Sequence, residues 1–192
     1  MSRYYYFAAT LPTLQLGAPA PMTSAEYLER ARRHLEPAEY AALEAATLAS
    51  AAEGPPPEAS VDPLLGDYYA WERSVRNELV RLRAKRLGRA AEPHLRPAGR
   101  DEGAQAAAQR AFAAESPLEG ELVLERERWA RLEELAALKT FDFARLAAYR
   151  LELEILERIA RLGAERGEVG YRETYAAILG QAQTSEETGV SR

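Results

Sequence analysis

The chain has 192 residues, 29% of them charged, with a net charge of −5 and no cysteine. That length is enough for one full core or two small helical lobes. The missing cysteines exclude disulfides, thiolate metal sites and thiol nucleophiles and fit a reducing, cytoplasmic setting, while the acidic balance argues against a dedicated nucleic-acid binder.

Tyr4-Tyr5-Tyr6-Phe7 opens the chain. Chain ends fray unless they are tied down, so a run this apolar is expected to dock, as helix or strand, and to close near Leu11-Pro12. No basic run precedes it and Pro12 breaks it, so it reads neither as a signal peptide nor as an anchor. No other segment approaches the roughly 18 apolar residues of a membrane span.

Prolines at 19 and 21 keep the next stretch irregular. Thr23 and Glu26 then form a T-x-x-E capping box, which predicts a helix over about 24–35, and Pro37 suits the first turn of a second helix to about Ser50. Gly54-Pro55-Pro56-Pro57 reads as a linker, since consecutive prolines lack donors and favour a polyproline-like path. Asp62-Pro63 restarts helix as N-cap and first helical residue. Tyr68, Trp71, Val75, Leu79 and Leu82 recur at three- and four-residue steps, which predicts one buried face on a helix ending near Gly88.

After an irregular stretch over 92–99, the alanine-rich run 101–114 is helical on propensity but has little apolar bulk to hold it. Ser116-Pro117-Leu118-Glu119 is a second capping box, and Leu118, Leu122, Trp129 and Leu132 carry a helix on to about 138. Phe141-Asp142-Phe143 is a break. Over 143–162, Leu146, Leu153, Leu156 and Ala160 lie on one line with Leu151, Ile155 and Ile159 beside it, a wide stripe that predicts the central helix of the core. Gly163 and Gly167 are expected to end it, ahead of a short helix from Gly170 to Leu179 and a disordered tail from Gln181. The predicted fold class is all-α, an irregular bundle of about six to seven helices. Its parts are an aromatic segment and hairpin at 1–53, a linker at 54–63, the main bundle at 64–180 and a tail at 181–192, in one compact domain overall.

No catalytic, cofactor-binding or metal-binding set is found. Neither G-x-x-x-x-G-K nor G-x-G-x-x-G occurs, which argues against phosphate cradling, and the serines form no G-x-S-x-G turn. His34 and His94 lie in separate segments without a ligand partner at helical spacing. Carboxylate pairs such as Glu133 with Glu134 and Glu152 with Glu154, and the run Glu125-Arg126-Glu127-Arg128, read as solvated helix faces, with Glu154–Arg158 and Glu157–Arg161 pairs at i,i+4. The basic stretch is the one charge feature that stands out. Residues 72–100 hold nine Arg or Lys against three Glu, a local +6 that leaves −11 on the rest. Arg86 and Arg89 extend the apolar line of the preceding helix. Interaction with the helix dipole, docking of an acidic partner and nucleic-acid binding all account for this, the last without interleaved aromatics.

The pattern Tyr4-Tyr5-Tyr6-Phe7, Leu11-Pro12-x-Leu14-x-Leu16-Gly17 and Pro21-Met22-Thr23-Ser24 resembles a small bacterial family encoded among the subunits of V/A-type rotary ATPases. Tyr68-Tyr69-x-Trp71-Glu72-x-x-x-Arg76-Asn77, Leu82-Arg83-Ala84 and Arg128-Trp129-x-x-Leu132-Glu133 carry the same resemblance. That family is in turn distantly similar to the C-type central-stalk component of these ATPases, called d in eukaryotes, a longer all-helical funnel that seats the central stalk on the membrane ring. The likeness of Arg86-Leu87-Gly88 to Arg161-Leu162-Gly163 is compatible with two degenerate helical repeats, part of such a funnel.

The resemblance implies a non-catalytic accessory or central-stalk component that contacts other V/A-type ATPase subunits, cytoplasmic and peripheral to the membrane through the complex. No cofactor, nucleic acid or direct membrane insertion is expected. The expected partner contacts are Arg76, Arg83, Arg86 and Arg89, with Tyr4 and Tyr5. The alternatives are a free-standing helical adaptor or assembly factor, and an enzyme with an unrecognised site.

Overall fold

Hydrogen-bonding side chains placed at the chain's breaks set where its helices begin. A computed structural model of the chain describes residues 4–49 and 62–163, and every regular element among them is helical. The aromatic opening folds as a short helix, α1 (Tyr5–Thr10). The predicted hairpin follows as α2 (Ser24–Ala31) and α3 (Pro37–Ala45), each helix a few residues shorter than expected. At the head of α2 the Glu26 N–H donates to Thr23 Oγ1 at 3.1 Å, and the Thr23 N–H donates to Glu26 Oε2 at 2.8 Å. Two orphan donors of the first turn are thereby satisfied, as the capping box requires.

The long helix α4 (Pro63–Leu87) begins where predicted, with Asp62 Oδ1 accepting from the Leu64 N–H at 2.9 Å. Gly88 closes it at φ +62, a left-handed conformation that glycine adopts without Cβ strain. A single 3-10 turn (Glu92–His94) leads to α5 (Glu102–Phe112) and α6 (Pro117–Ala136). Of the second predicted capping box, the Ser116 half is formed, its Oγ accepting from the Glu119 N–H at 3.2 Å. The last described helix, α7, occupies residues 143–163. Gly163 is still helical there, so it is no left-handed cap like Gly88. The predicted linker at 54–63 lies almost wholly outside the described residues, as do the helix expected from Gly170 to Leu179 and the tail from Gln181.

Two compact units divide the chain, residues 1–157 and 158–192. Of the second unit, residues 158–163 are described, and they are helical. Within the first, α4, α5 and α6 pack on one another. The alanine-rich run does have something to hold it. Ala104, Ala107, Ala108 and Ala111 are all buried, so the face is thin rather than bulky and lets neighbouring helices come close. At Gly120 on α6 a Cβ would stand 2.9 Å from the Ala111 carbonyl oxygen, which makes glycine a steric requirement at that crossing.

In α7 every residue from 146 to 153 is buried, which is the central position the wide stripe predicts. The N-terminal segments dock on it. The Tyr27 hydroxyl donates to the Leu146 carbonyl at 2.8 Å and the Tyr149 hydroxyl donates to the Pro12 carbonyl at 2.9 Å. Glu157 accepts from the Ser24 N–H at 2.6 Å and from Ser24 Oγ at 3.0 Å. It therefore serves α2 as a remote cap.

Candidate functional site

The expected contact residues fall into three settings. Arg83, Arg86 and Arg89 are exposed on or just beyond the last turns of α4, and none meets an acidic group among the described residues. The guanidinium of Arg86 lies 6.0 Å from the centroid of the Phe112 ring. Arg83 and Arg86 stand at a groove of about 420 Å³ formed by α4, the end of α5 and the start of α6. Leu79, Leu124 and Phe112 supply its apolar surface, and Glu115 and Glu121 also line it.

Arg76 belongs elsewhere. Its Nε donates to Glu72 Oε1 at 3.0 Å, which ties it to a charge network inside the helix packing. Arg128 on α6 donates from Nε and Nη2 to the two Glu72 oxygens, at 3.1 and 2.8 Å, and from Nη1 to Glu125 at 2.9 Å. Glu72, Glu125 and Arg128 are 1%, 0% and 5% exposed. The reading of Glu125-Arg126-Glu127-Arg128 as a solvated face therefore fails at both ends of the run. Burial alone would lower the pKa of Arg128, but the Glu72 and Glu125 carboxylates outweigh it and hold the guanidinium charged. Tyr68 faces the same charges, with its pKa pushed well up by burial and then by Glu72, and its buried hydroxyl has no hydrogen-bond partner among the described residues.

A second pair corrects the solvated reading of Glu152. That side chain is 1% exposed and accepts from both Nη1 and Nη2 of Arg145, at 3.0 and 3.1 Å. Glu154 accepts from the Leu48 N–H at 2.8 Å and pairs with Arg150 at 2.8 Å. Glu133 and Glu134 are exposed, as expected.

The tyrosines are split. The Tyr4 hydroxyl donates to Glu39 on α3, and the ring of Tyr5 rests on Phe141 at a centroid distance of 4.5 Å. Phe7 carries the docking, buried against Tyr27 and His34 at 5.7 and 5.0 Å. Tyr5 and Tyr6 remain exposed. His34, just past α2, is a partner of these rings, and His94 is exposed in the 3-10 turn.

Among the described residues no group of three His, Asp or Glu side chains is placed to hold a metal ion, and no helix is long and apolar enough to cross a membrane. The structure thus brings together Arg83 and Arg86, leaves Arg89 beyond the groove, and separates all three from Tyr4 and Tyr5 in sequence and in contacts. Sequence reasoning missed Phe112 and Leu124 as walls of the groove. It also missed the buried network, although a signal was there. Glu72 stands four residues after Tyr68 and three before Val75, and Glu125 stands three before Arg128 and seven before Leu132, positions that share the buried sides of their helices. Comparison of the chain with known protein families, curated proteins and solved structures found no match.

Proposed function

We propose that this chain is a non-catalytic docking component of a larger assembly and, from the resemblance of its tyrosine opening and mid-chain blocks, an accessory or central-stalk part of a bacterial V/A-type rotary ATPase, similar to the funnel-shaped C-type component. One observation carries the docking role. Three arginines, Arg83, Arg86 and Arg89, are exposed and without acidic partners among the described residues, on a chain whose net charge is −5. Favourable placement at a helix C-terminus accounts for one such cation at about 0.3–1 kcal/mol each. Three exposed arginines at one helix end, none of them in a salt bridge among the described residues, make a surface that steers and orients an acidic partner. The interlocked helices beneath it suit a part that transmits force by broad contact.

Affinity purification of the tagged chain from its host, read by mass spectrometry, tests the assignment. Stalk subunits are expected at low salt, with recovery falling as ionic strength rises and in the R83Q/R86Q/R89Q variant. Reproducible absence of every stalk subunit at low salt would remove the ATPase assignment. Recovery from assembling cells together with absence from the purified, active enzyme would favour an assembly factor.

A further inference from the structure

The geometry points to a specific ligand class for the groove between α4, α5 and α6: we infer that it takes a short acidic segment of a partner protein, seating one apolar side chain between two carboxylates. This rests on the docking role above and names the chemistry of the contact. The floor is Leu79 and Leu124, buried in their own helices yet facing the opening, with the half-buried Phe112 as a wall. A volume of about 420 Å³ is in the range of small-ligand sites and accommodates a leucine or phenylalanine side chain with its flanking backbone. Arg83 and Arg86 come one helical turn apart from α4, so they lie on the same side of the opening.

Charge decides the occupant. Neither arginine meets an acid among the described residues, and Arg86 is held over the Phe112 ring, where it remains able to donate from its edge. The two acidic residues of the lining form no salt bridge with either arginine, Glu121 being half-buried and Glu115 exposed on the connection between α5 and α6. A nucleic-acid strand finds no free aromatic face to stack on among the lining residues, since Arg86 occupies Phe112. A peptide offers one or two carboxylates to the arginines and an apolar residue to the floor.

The test is fluorescence anisotropy with a dye-labelled synthetic peptide in which aspartate and glutamate flank one leucine. Binding is expected to weaken with salt and to fall about tenfold in R83Q/R86Q, the loss of two partly exposed ion pairs. Phe112→Ala should weaken it as well, and Arg126→Gln, exposed on α6 away from the groove, should leave it unchanged. Thermal melting by circular dichroism checks that each variant is folded. No anisotropy change at millimolar peptide, or a change untouched by R83Q/R86Q, would overturn the inference. So would equal binding of a leucine-to-glycine peptide, tighter binding of a single-stranded oligonucleotide of equal charge, or self-association abolished by the same substitutions. Stalk subunits copurifying while the peptide fails to bind would discard the groove and keep the docking role. Peptide binding without copurification would support the groove and discard the ATPase setting.

Discussion

Arg128 holds both carboxylate oxygens of Glu72 from across the packing of α6 on α4, 56 residues away in sequence. Such a fork is directional, so it fixes how far α6 slides along α4. With both partners buried, desolvation offsets most of the Coulomb gain, and the network contributes alignment more than net stability. Removing one member is a different matter. Glu72→Ala strips Arg128 of its bidentate partner in a dry site, and a loss of about 3–5 kcal/mol is expected in urea unfolding. The apolar triple E72L/E125L/R128M should return stability to near the parent. A single substitution costing under about 1 kcal/mol would mean that water reaches the network.

Two helical glycines make opposite predictions. Gly120→Ala forces a Cβ to within 2.9 Å of the Ala111 carbonyl oxygen, and the backbone of α5 has to give way. Overpacking of this kind costs about 1–3 kcal/mol, more than the gain of about 1 kcal/mol in helix propensity. Gly66 in α4 has open space where a Cβ would be, so Gly66→Ala should stabilise by about 0.5–1 kcal/mol. Paired thermal or urea melts check both signs. Equal shifts would show that the α5–α6 crossing relaxes freely.

What was legible in the sequence was what depends on near neighbours. Thr23 with Glu26, Asp62 before Pro63, and Gly88 at the end of α4 act through their own turn, so their residue types announce them. Burial of Glu72, Glu125, Arg128 and Glu152 was not legible, because a charge on a helix is dry only when another helix supplies its partner. Phe112 and Leu124 became walls of one groove only through the joint placement of three helices, a fact no single periodicity contains. The alanines of α5 looked too small to anchor a helix, yet small size is what permits the close approach at Gly120.

The aromatic opening separates into anchor and surface at neighbouring positions. Phe7 is 2% exposed and packs on Tyr27 and His34, whereas Tyr6 is 71% exposed. Phe7→Ala should cost about 3 kcal/mol, the low end for a buried phenylalanine because α1 is only six residues long and can relax. Tyr6→Ala should change stability by about 0.5 kcal/mol or less. Hydrogen exchange resolves the mechanism. Undocking of α1 in the Phe7 variant predicts faster exchange across Tyr5–Thr10, with α4 to α6 unaffected.

Burial of Glu152 gives the fold a pH dependence whose sign follows from its raised pKa. Burial raises its pKa above the ordinary carboxylate value, and the paired Arg145 opposes this without cancelling it, while Glu133 adds to the rise. A raised folded-state pKa means that the native state binds the proton more tightly than the unfolded chain. The associated stability is fully present below the unfolded value of about 4.3 and is lost as pH rises through the folded value. Glu152→Gln removes that titration and keeps an oxygen for Arg145. The stability of the parent relative to E152Q should therefore fall as pH rises above about 4.3, at no more than about 1.4 kcal/mol per unit, the limit for one proton. Urea midpoints at several pH values measure the difference, in which the other carboxylates cancel. Parallel curves would mean that Arg145 fully offsets the burial of Glu152.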